Sequence, residues 1–456
     1  MVNLQKNKNK GETLMCSLIE KSLNFNSKIK INFEGGNLTS DAGLLLYKEF
    51  DEKIGFSKTI KNNLYVNDPS AESRTHKNED ISIQKIYQYI AGYNTDNDAD
   101  ELRYDPTFTN ILNKEALASQ PTLSRFNSRV NINTLKSYEQ INEILQDKTY
   151  SLSMPEHILF DIDSTNLKTY GEQYGSDYNS HYGANGYHPL LMFDGLTGDL
   201  IKAELRSGNV YTSRQAVRFI GPVLKRYISK YPSMTRFIRG DSGFAIPELY
   251  EIAEQLDTFY AIRLKVSSQL YKLASEFAKR MSSLCKSDMI SSHVIYGEFK
   301  YKASSWKKER RVVVKIEKPE GQMCYNYTFV VTNMTLFPEL VIKFYCNRGV
   351  MENFIKEGKL GLSFDKMSST EFIANANKLQ EMVLAYNFNN WFRNLCLDKT
   401  PMKSMTIETI RTRLIKVAAK IIKGGRYLKF KLCSSCPYKN VFWNILNKIQ
   451  AIPLAT

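Results

Sequence analysis

Apolar positions recur at helical spacing through the first third of the chain. The segment SDAGLLLYKEFDEKIGF begins with two residues that can cap a helix and continues with apolar residues three and four apart. A second segment, NEDISIQKIYQYIAGY, repeats the pattern and ends beside a glycine suited to a helix terminus. The pattern predicts a polar, mobile arm over residues 1–30 and a helical N-terminal domain over residues 31–150.

The pattern changes at HILFDIDST, where residues that favour strands begin to alternate in polarity. The segment YHPLLMFDGLTGDLIKAELRSG then predicts two strands joined by a turn, and SRQAVRFIGPVLKRYISKY predicts a helix. A strand into RFIRGDSGF, a helix from Pro247 and a strand FYAIRLK follow. This order of elements predicts a mixed α/β core whose first part covers residues 151–265.

The rest of the chain returns from strands to helices. A β-rich insertion is predicted over residues 266–336, and a second, helical part of the core over residues 337–400. Residues 401–456 are predicted to form a basic helical C-terminal region, because Ile410, Leu414, Val417 and Ile421 follow a helical pattern.

Charge narrows the choice of partner. The chain has 456 residues and a formal net charge of +15, which favours a polyanion such as nucleic acid or an anionic membrane surface. The longest apolar runs are far shorter than the roughly 18 residues of a spanning helix, so no membrane association is expected. The seven scattered cysteines fit a reducing cytoplasm better than a disulfide framework.

Acidic residues lie where predicted strands end. Asp161 and Asp163 are two apart, so a strand projects both to one face, and Asp241 ends a later strand. Ligand sites in open α/β sheets collect at strand ends. With Glu352 from a later helix, two aspartates would make an oxygen-rich pocket for Mg²⁺. A pair of such ions about 4 Å apart can stabilise phosphodiester displacement. A lone strand-end aspartate, however, is more often a turn or cap residue.

Glu352 also belongs to a second pattern, in the segment YCNRGVMENFIKEGK. On one helix, Tyr345, Arg348, Glu352 and Lys359 fall at roughly 0°, 300°, 340° and 320° around the axis. Arg348 and Lys359 would then hold DNA phosphates beside the metal site, and Tyr345 would donate a further hydrogen bond. A solvated helix face with chance ion pairs explains this segment equally well when it is taken alone.

The insertion and the C-terminal region carry further basic clusters. Between Tyr296 and Lys318 there are eight Lys or Arg against three Asp or Glu, around Trp306. This composition suits a DNA-facing surface formed by Lys307, Lys308, Arg310 and Arg311. From Pro401 to Leu432 there are nine Lys or Arg and one Glu, which fits a grip on the DNA backbone, a partner contact or a solvated face.

These residues resemble the DDE transposases of bacterial insertion sequences, which have a ribonuclease H-like catalytic core. The Tyr-x2-Arg-x3-Glu-x6-Lys spacing is similar to the signature of the insertion-sequence 4 superfamily. The segments DIDSTNLKTYGEQYGSDYNSHYGANGYHPLLMFDG, AELRSGNVYTS, IRGDSGFAIPELYE and GNLTSDAGLLL resemble the insertion-sequence 1380 family. The resemblance extends from about residue 30 to about residue 400.

The resemblance implies the fold and the site. It implies a ribonuclease H-like mixed sheet core with a β-rich insertion, and a triad of Asp163, Asp241 and Glu352 that is both catalytic and metal-binding. Asp163 is preferred over Asp161 because the family's first acid stands in an Asp-x-Thr context, here Asp163-Ser164-Thr165. Two Mg²⁺ or Mn²⁺ ions are expected. The resemblance implies that Trp306 would stack on a displaced base, but an ordinary half-buried tryptophan is slightly favoured at this position.

The implied function is that of an insertion-sequence transposase in the cytoplasm, associated with the nucleoid. It would bind terminal inverted repeats of double-stranded DNA, cleave at the element ends and join the 3′ ends to target DNA. Synapsis of two ends implies a homodimer. Two alternatives stay open: a metal-dependent nuclease without strand transfer, and a catalytically silent DNA-binding protein derived from a transposase.

Overall fold

A computed structural model describes residues 20–287, 290–322 and 324–454. Most of the predicted N-terminal arm, residues 1–19, lies outside this part. The strands are β1 (Lys21–Leu23), β2 (Asn26–Ile31), β3 (Leu38–Thr39), β4 (His157–Ser164), β5 (Leu167–Lys168), β6 (Asp177–Asn179), β7 (Ala184–Tyr187), β8 (Leu190–Asp194), β9 (Leu200–Glu204), β10 (Thr235–Gly240), β11 (Phe259–Leu264), β12 (His293–Tyr301), β13 (Arg310–Lys318), β14 (Asn326–Thr332), β15 (Ala419–Lys423) and β16 (Leu428–Leu432).

The helices alternate with these strands in the core and dominate the first third of the chain. They are α1 (Leu44–Ile54), α2 (Phe56–Asn63), α3 (Asn78–Ala91), α4 (Asp98–Glu101), α5 (Pro106–Ile111), α6 (Gln120–Asn127), α7 (Ile132–Leu152), α8 (Ala216–Lys230), α9 (Pro247–Gln255), α10 (Ser268–Leu273), α11 (Ser275–Ser287), α12 (Pro338–Cys346), α13 (Gly349–Leu362), α14 (Phe372–Cys396), α15 (Ile407–Ile410) and α16 (Lys439–Ala451).

A mixed sheet of eight strands organises the middle of the molecule, in the order β12-β13-β14-β11-β10-β4-β8-β9. Strand β4 pairs parallel with β10 and antiparallel with β8, and β10 pairs parallel with β11. The predicted insertion adds three antiparallel strands to the β11 edge of this sheet. The insertion is therefore an extension of the core sheet rather than a separate barrel or sandwich.

Helices cover both faces of the sheet, because the side chains of its strands alternate between two apolar cores. On one face Phe160 and Ile162 of β4 pack with Phe219 of α8 and Leu249 of α9. On the other face, residues of β8 and β9 pack with α13 and α14, and α12 packs on β13 and β14. Asp161 and Asp163 alternate with Phe160 and Ile162, so they belong to the face covered by α12 to α14.

The helical region α1 to α7 packs mainly on α14, beside a smaller cluster of its own that includes Ile81, Leu123 and Phe126. Phe50 and Phe56 stack on Phe388 of α14, with ring centroids 5.6 and 4.3 Å away. Tyr47 also donates a hydrogen bond of 2.8 Å to Asn389. Helix α14 thus lies between the N-terminal helices and the sheet, and one continuous hydrophobic cluster joins them. The helices predicted in this region are present, and they pack directly on the predicted second part of the core.

The C-terminal region differs from its prediction. A single helix was expected through Ile410, Leu414, Val417 and Ile421. Helix α15 ends at Ile410 and a π-helical turn continues it to Ile415, but the chain then forms the β15–β16 hairpin, which contains Ile421. Strand β15 also pairs with β3, which makes a small sheet of three strands. Helix α15, a π-helical turn over Arg411–Ile415 and α16 match the helical expectation here. None of the helices in residues 20–287, 290–322 and 324–454 is both long and apolar enough to cross a membrane.

Candidate active site

Asp163 and Asp241 lie side by side at the carboxyl ends of two parallel strands. The register pairs Gly240 of β10 with Ile162 of β4, so the next residue along each strand is an aspartate. Adjacent strands are separated by about 4.8 Å. The side chain of Asp241 accepts a hydrogen bond of 2.8 Å from the Gly243 amide in a short 3-10 turn. Both aspartates line one open cleft.

Asp161, the other acid of the first strand, is held in a buried ion pair. Arg239 donates two hydrogen bonds of 2.6 Å, one to each carboxylate oxygen of Asp161. Asp161 is 0% exposed and Arg239 is 2% exposed. The remaining terminal nitrogen of Arg239 donates to the carbonyl of Phe344 in α12 at 2.6 Å. This arginine therefore links α12 to the sheet. Asp161 binds the arginine and does not face the cleft that Asp163 and Asp241 line.

The predicted helical stripe from Tyr345 to Lys359 is interrupted. Helix α12 ends at Cys346 and α13 begins at Gly349, with Asn347 at φ −66° and ψ 0° between them. The expectation of one continuous helix is therefore wrong: Tyr345 lies on α12, whereas Glu352 and Lys359 lie on α13 with Arg348 at its N-cap. Tyr345 belongs to α12, where it is 8% exposed and packs beneath β13 and β14. Burial raises its pKa.

Arg348, at the junction of these two helices, brings the first and third acids together. Its Nη2 lies 2.6 Å from Oδ2 of Asp163, and its Nη1 lies 3.9 Å from Oε1 of Glu352. Burial by itself would lower the pKa of Arg348. The carboxylates of Asp163 and Asp241 raise it by more, so the pKa of the arginine is raised overall. Its Nε is buried and has no hydrogen-bond partner among the described residues. The guanidinium therefore keeps one donor free beside the acids.

The pKa of Asp163 reflects its burial and the charged groups around it. Burial raises the pKa of Asp163 to about 6, and the negative charges of Asp241 and Glu352 add to that effect. Arg348 opposes the shift without cancelling it. A carboxyl group that titrates this close to neutrality, beside two other acids, is typical of a site that binds a cation or moves a proton.

Lys359 contacts the chain where it leaves β4. Its ammonium group donates to Oγ1 of Thr165 at 2.7 Å and to the carbonyl of Asn166 at 2.9 Å. Burial lowers the pKa of Lys359. The predicted role was a DNA phosphate contact. In this structure the lysine joins α13 to the loop that follows Asp163, so the helix of Glu352 and the strand of Asp163 are held together; the DNA contact stays a prediction.

Glu352 itself is the most open of the three acids. Its side chain is 70% exposed, whereas that of Asp163 is 15% exposed. Within the described ranges no group of three or more His, Cys, Asp or Glu is close enough to hold a metal ion. The three acids are thus close enough for Asp241 and Glu352 to affect the pKa of Asp163, but they are too far apart to coordinate one metal ion together in this structure. The two aspartates supply the hard oxygen donors that Mg²⁺ prefers.

A tyrosine that sequence reasoning missed also faces the acids. Tyr182 lies in the turn between β6 and β7 and donates a long hydrogen bond of 3.4 Å to the Ser164 carbonyl. Burial, with Asp163 and Asp241, raises its pKa to about 12. His188 lines the same cleft, and its Nδ1 donates to the Val210 carbonyl at 2.7 Å. No spacing in the sequence marks Tyr182, because only the fold brings this turn over the strand end.

The basic cluster of the insertion is largely paired within the protein. Lys307 lies 2.7 Å from Glu251, and Lys308 lies 3.0 Å from Glu254. Arg310 donates both prongs of its guanidinium to Glu254, at 2.9 and 3.1 Å.

Arg311 and Trp306 are also engaged inside the insertion. Arg311 pairs with Glu298 and donates to the carbonyls of Met334 and Leu336. Trp306 is only 5% exposed, between Tyr250, Tyr301 and Arg310. The ring expected to stack on a DNA base therefore has no open face in this structure.

The fold and the site define an α/β protein whose acidic groups gather at the carboxyl ends of neighbouring parallel strands. A family model described as "Transposase DDE domain group 1" matches residues 21–454. The chain belongs to this family of transposases. No curated protein sequence matches the chain.

Among solved structures, a piggyBac transposase synaptic complex with hairpin DNA, determined by cryo-electron microscopy, is similar at 13% identity. That match covers 83% of this chain and 80% of the other, with a TM-score of 0.44.

Proposed function

We propose that this chain is the transposase of an insertion sequence of the 1380 family, and that its core has the ribonuclease H-like arrangement. The strand order supports this fold: three antiparallel strands, β9, β8 and β4, continue into two strands parallel to β4. The enzyme would bind the terminal inverted repeats of its element, cleave at the ends and join the 3′ ends to target DNA.

The observation that carries the proposal is the parallel register that sets Asp163 beside Asp241, with Arg348 linking Asp163 to Glu352. We assign these three acids as the catalytic and metal-binding residues. They would hold Mg²⁺ or Mn²⁺, in a pair of ions, which would supply charge stabilisation for in-line displacement at phosphorus. The raised pKa of Asp163 supports the assignment, because a bound cation would stabilise the ionised form that burial and the neighbouring carboxylates disfavour.

The surrounding side chains would position the DNA. Arg348 lies 2.6 Å from Asp163, so it would hold that acid in position beside the bound DNA. Tyr182 and Lys265 line the same cleft as the two aspartates and can donate hydrogen bonds to the backbone on either side of the cleaved bond. Lys307 and Lys308 are 82% and 62% exposed, and surface pairs of this kind are weak, so they remain available to DNA.

Cleavage and joining can be tested on a duplex that carries one element end, with Mg²⁺ and a target plasmid. We expect Asp163→Asn, Asp241→Asn and Glu352→Gln each to lower the cleavage rate by at least about 10³-fold, since each removes a ligand for transition-state charge. Glu248→Gln is the matched control: it is an exposed acid on α9 with no ion pair among the described residues, and it should cleave like the wild type.

The products separate the candidate functions. Joined products with a short target duplication would support a transposase, and synapsis of two ends would appear as a complex with two protein chains. Cleavage without joining would favour the nuclease. Binding without cleavage by the wild type would favour a silent DNA-binding protein. Full cleavage by all three acid variants would refute the assigned site.

A further inference from the structure

The hairpin of β15 and β16, residues 419–432, presents one face to the protein and one to solvent; we refer to it as the basic ribbon. The register pairs Lys420 with Lys431 and Ile422 with Lys429. These four side chains therefore lie on one face, and all four are exposed. The opposite face holds the buried Ala419 and Ile421 and the partly buried Phe430 and Leu432.

No acidic residue offsets these lysines. Residues 409–456 contain ten Lys or Arg and not one Asp or Glu. Within the described part of the chain, none of the five cations of the ribbon has a carboxylate within 4.0 Å. They are Lys420, Lys423, Arg426, Lys429 and Lys431. By contrast, the insertion cations Lys307, Lys308, Arg310 and Arg311 are all paired.

The pairing of Lys420 with Lys431 is unfavourable for the isolated protein. Like charges directly opposite each other on a ladder destabilise a sheet. Lysines on an edge strand can serve to prevent aggregation, which would explain Lys429 and Lys431 on β16. That reason does not extend to Lys420, which lies on the central strand of its sheet, or to Arg426 at the tip. An anionic ligand would relieve the repulsion.

The basic ribbon is also fixed to the rest of the protein by backbone hydrogen bonds and by its buried face. Strand β15 pairs with β3, and the Ile421 amide donates to the Asn37 carbonyl at 2.9 Å. Its inner face rests on the protein through Ala419 and Ile421, which are 3% and 7% exposed. At the other end Gly424 and Gly425 make a narrow turn, closed by a hydrogen bond of 2.9 Å from the Gly424 amide to the Tyr427 carbonyl. A charged face on a fixed base is ordered before a ligand arrives, so binding costs little conformational entropy.

We propose that the outward face of the basic ribbon binds the phosphate backbone of duplex DNA, at a site separate from the active-site cleft. Lysines two apart on a strand are about 6.6 Å from each other, and cross-strand neighbours are about 5 Å apart, so three ammonium groups form a compact patch. Antiparallel two-stranded ribbons fit the grooves of DNA. This inference rests on the proposed function only in taking DNA as the substrate.

The binding is by charge, so it is independent of sequence. Phosphate contacts position a protein on a duplex but carry no base information. Each neutralised phosphate contributes about 0.9 to the slope of log K against log salt concentration. Replacing Lys420, Lys429 and Lys431 with glutamine should therefore make that slope less steep by about 2.7. The loss should be the same on an element end and on an unrelated duplex of equal length.

The test measures affinity by fluorescence anisotropy without divalent metal, from about 50 to 200 mM salt. The triple variant Lys420→Gln, Lys429→Gln, Lys431→Gln is compared with Lys58→Gln, Lys136→Gln, Lys225→Gln, which removes the same charge from exposed helical lysines without ion pairs among the described residues. A third protein carries arginine at the three ribbon positions and should keep the wild-type slope. Thermal melts confirm that each variant is folded.

Three results would overturn the proposal. The first is a ribbon variant whose slope equals that of the wild type. The second is a control triple variant that changes the slope by the same amount, which would mean that net charge alone acts. The third is a loss of binding on the element end only, which would mean that the ribbon reads bases. Sedimentation of the free proteins adds a check: a ribbon variant that loses self-association but keeps its slope would make this face a contact between copies. The assay needs no cleavage, so an inactive wild type would refute the proposed function and leave this inference standing.

Discussion

Two aspartates two residues apart on β4 should respond differently to the same substitution. Asp161 is 0% exposed and receives two hydrogen bonds of 2.6 Å from Arg239. Asp161→Asn leaves that arginine charged and buried without its partner, which costs about 3–5 kcal/mol. For a cooperative unit of 150–250 residues this lowers the melting temperature by roughly 6–20 °C. We expect Asp161→Asn to unfold early yet to retain cleavage at temperatures where it is folded.

Asp163→Asn should show the reverse. Asp163 lines the open cleft and its side chain is 15% exposed, so water can replace its carboxylate beside Arg348, and removing the charge should cost only about 1 kcal/mol. Cleavage, however, should be lost. Guanidinium denaturation followed by circular dichroism measures the first quantity, and gel analysis of Mg²⁺-dependent cleavage measures the second.

A double variant checks the reasoning about the ion pair. Asp161→Leu with Arg239→Met replaces two buried charges by apolar groups, which is often neutral for stability. It still removes the hydrogen bond to the Phe344 carbonyl, which costs about 1 kcal/mol. We therefore expect the double variant to be more stable than Asp161→Asn. If Asp161→Asn melts like the wild type but does not cleave, Asp161 is a ligand of the site and our structural role for it is refuted.

Two further predictions concern titration and packing. Because a metal ligand must be deprotonated and the pKa of Asp163 is about 6, Mg²⁺ affinity should fall as pH drops below 6, by about tenfold at pH 5, when measured by calorimetry; an affinity that is flat from pH 7 to 5 would contradict this. Trp306→Ala should destabilise the protein by about 3–5 kcal/mol because the ring is buried, while DNA affinity of the folded variant stays within about twofold; weaker DNA binding at unchanged stability would restore its stacking role.

The sequence was most informative where side chains alternate along one strand. The segment from His157 predicted a strand with Asp161 and Asp163 on the same face, and β4 covers His157–Ser164. The strand that ends before Asp241 and the β-rich insertion were predicted in the right places. What alternation cannot show is which of two neighbouring acids is paired, because Arg239 comes from a different strand and Phe344 from a distant helix.

Helical periodicity misled at two places, for the same reason. The stripe from Tyr345 to Lys359 assumed one axis, but the helix breaks at Asn347 and Arg348, and asparagine favours turns. The prediction of a C-terminal helix took no account of Gly424-Gly425, which lies between short runs rich in isoleucine and leucine and therefore indicates a hairpin. The sequence also did not show that the cations of the insertion are paired within the protein, because Glu251 and Glu254 on α9 are far away in sequence; their contact with DNA stays a prediction.

The hydrogen bonds of Arg311 have a mechanical consequence. This β13 residue holds the carbonyls of Met334 and Leu336, the segment that leads into α12. Arg239 of the core grips the other end of the same helix through Phe344. Helix α12 is thus clamped at both ends, once by the insertion and once by the core. A displacement of the insertion strands β12 to β14 would therefore move α12 and, with it, Arg348 at the start of α13. Such a movement would change the distance between Asp163 and Glu352, which Arg348 links.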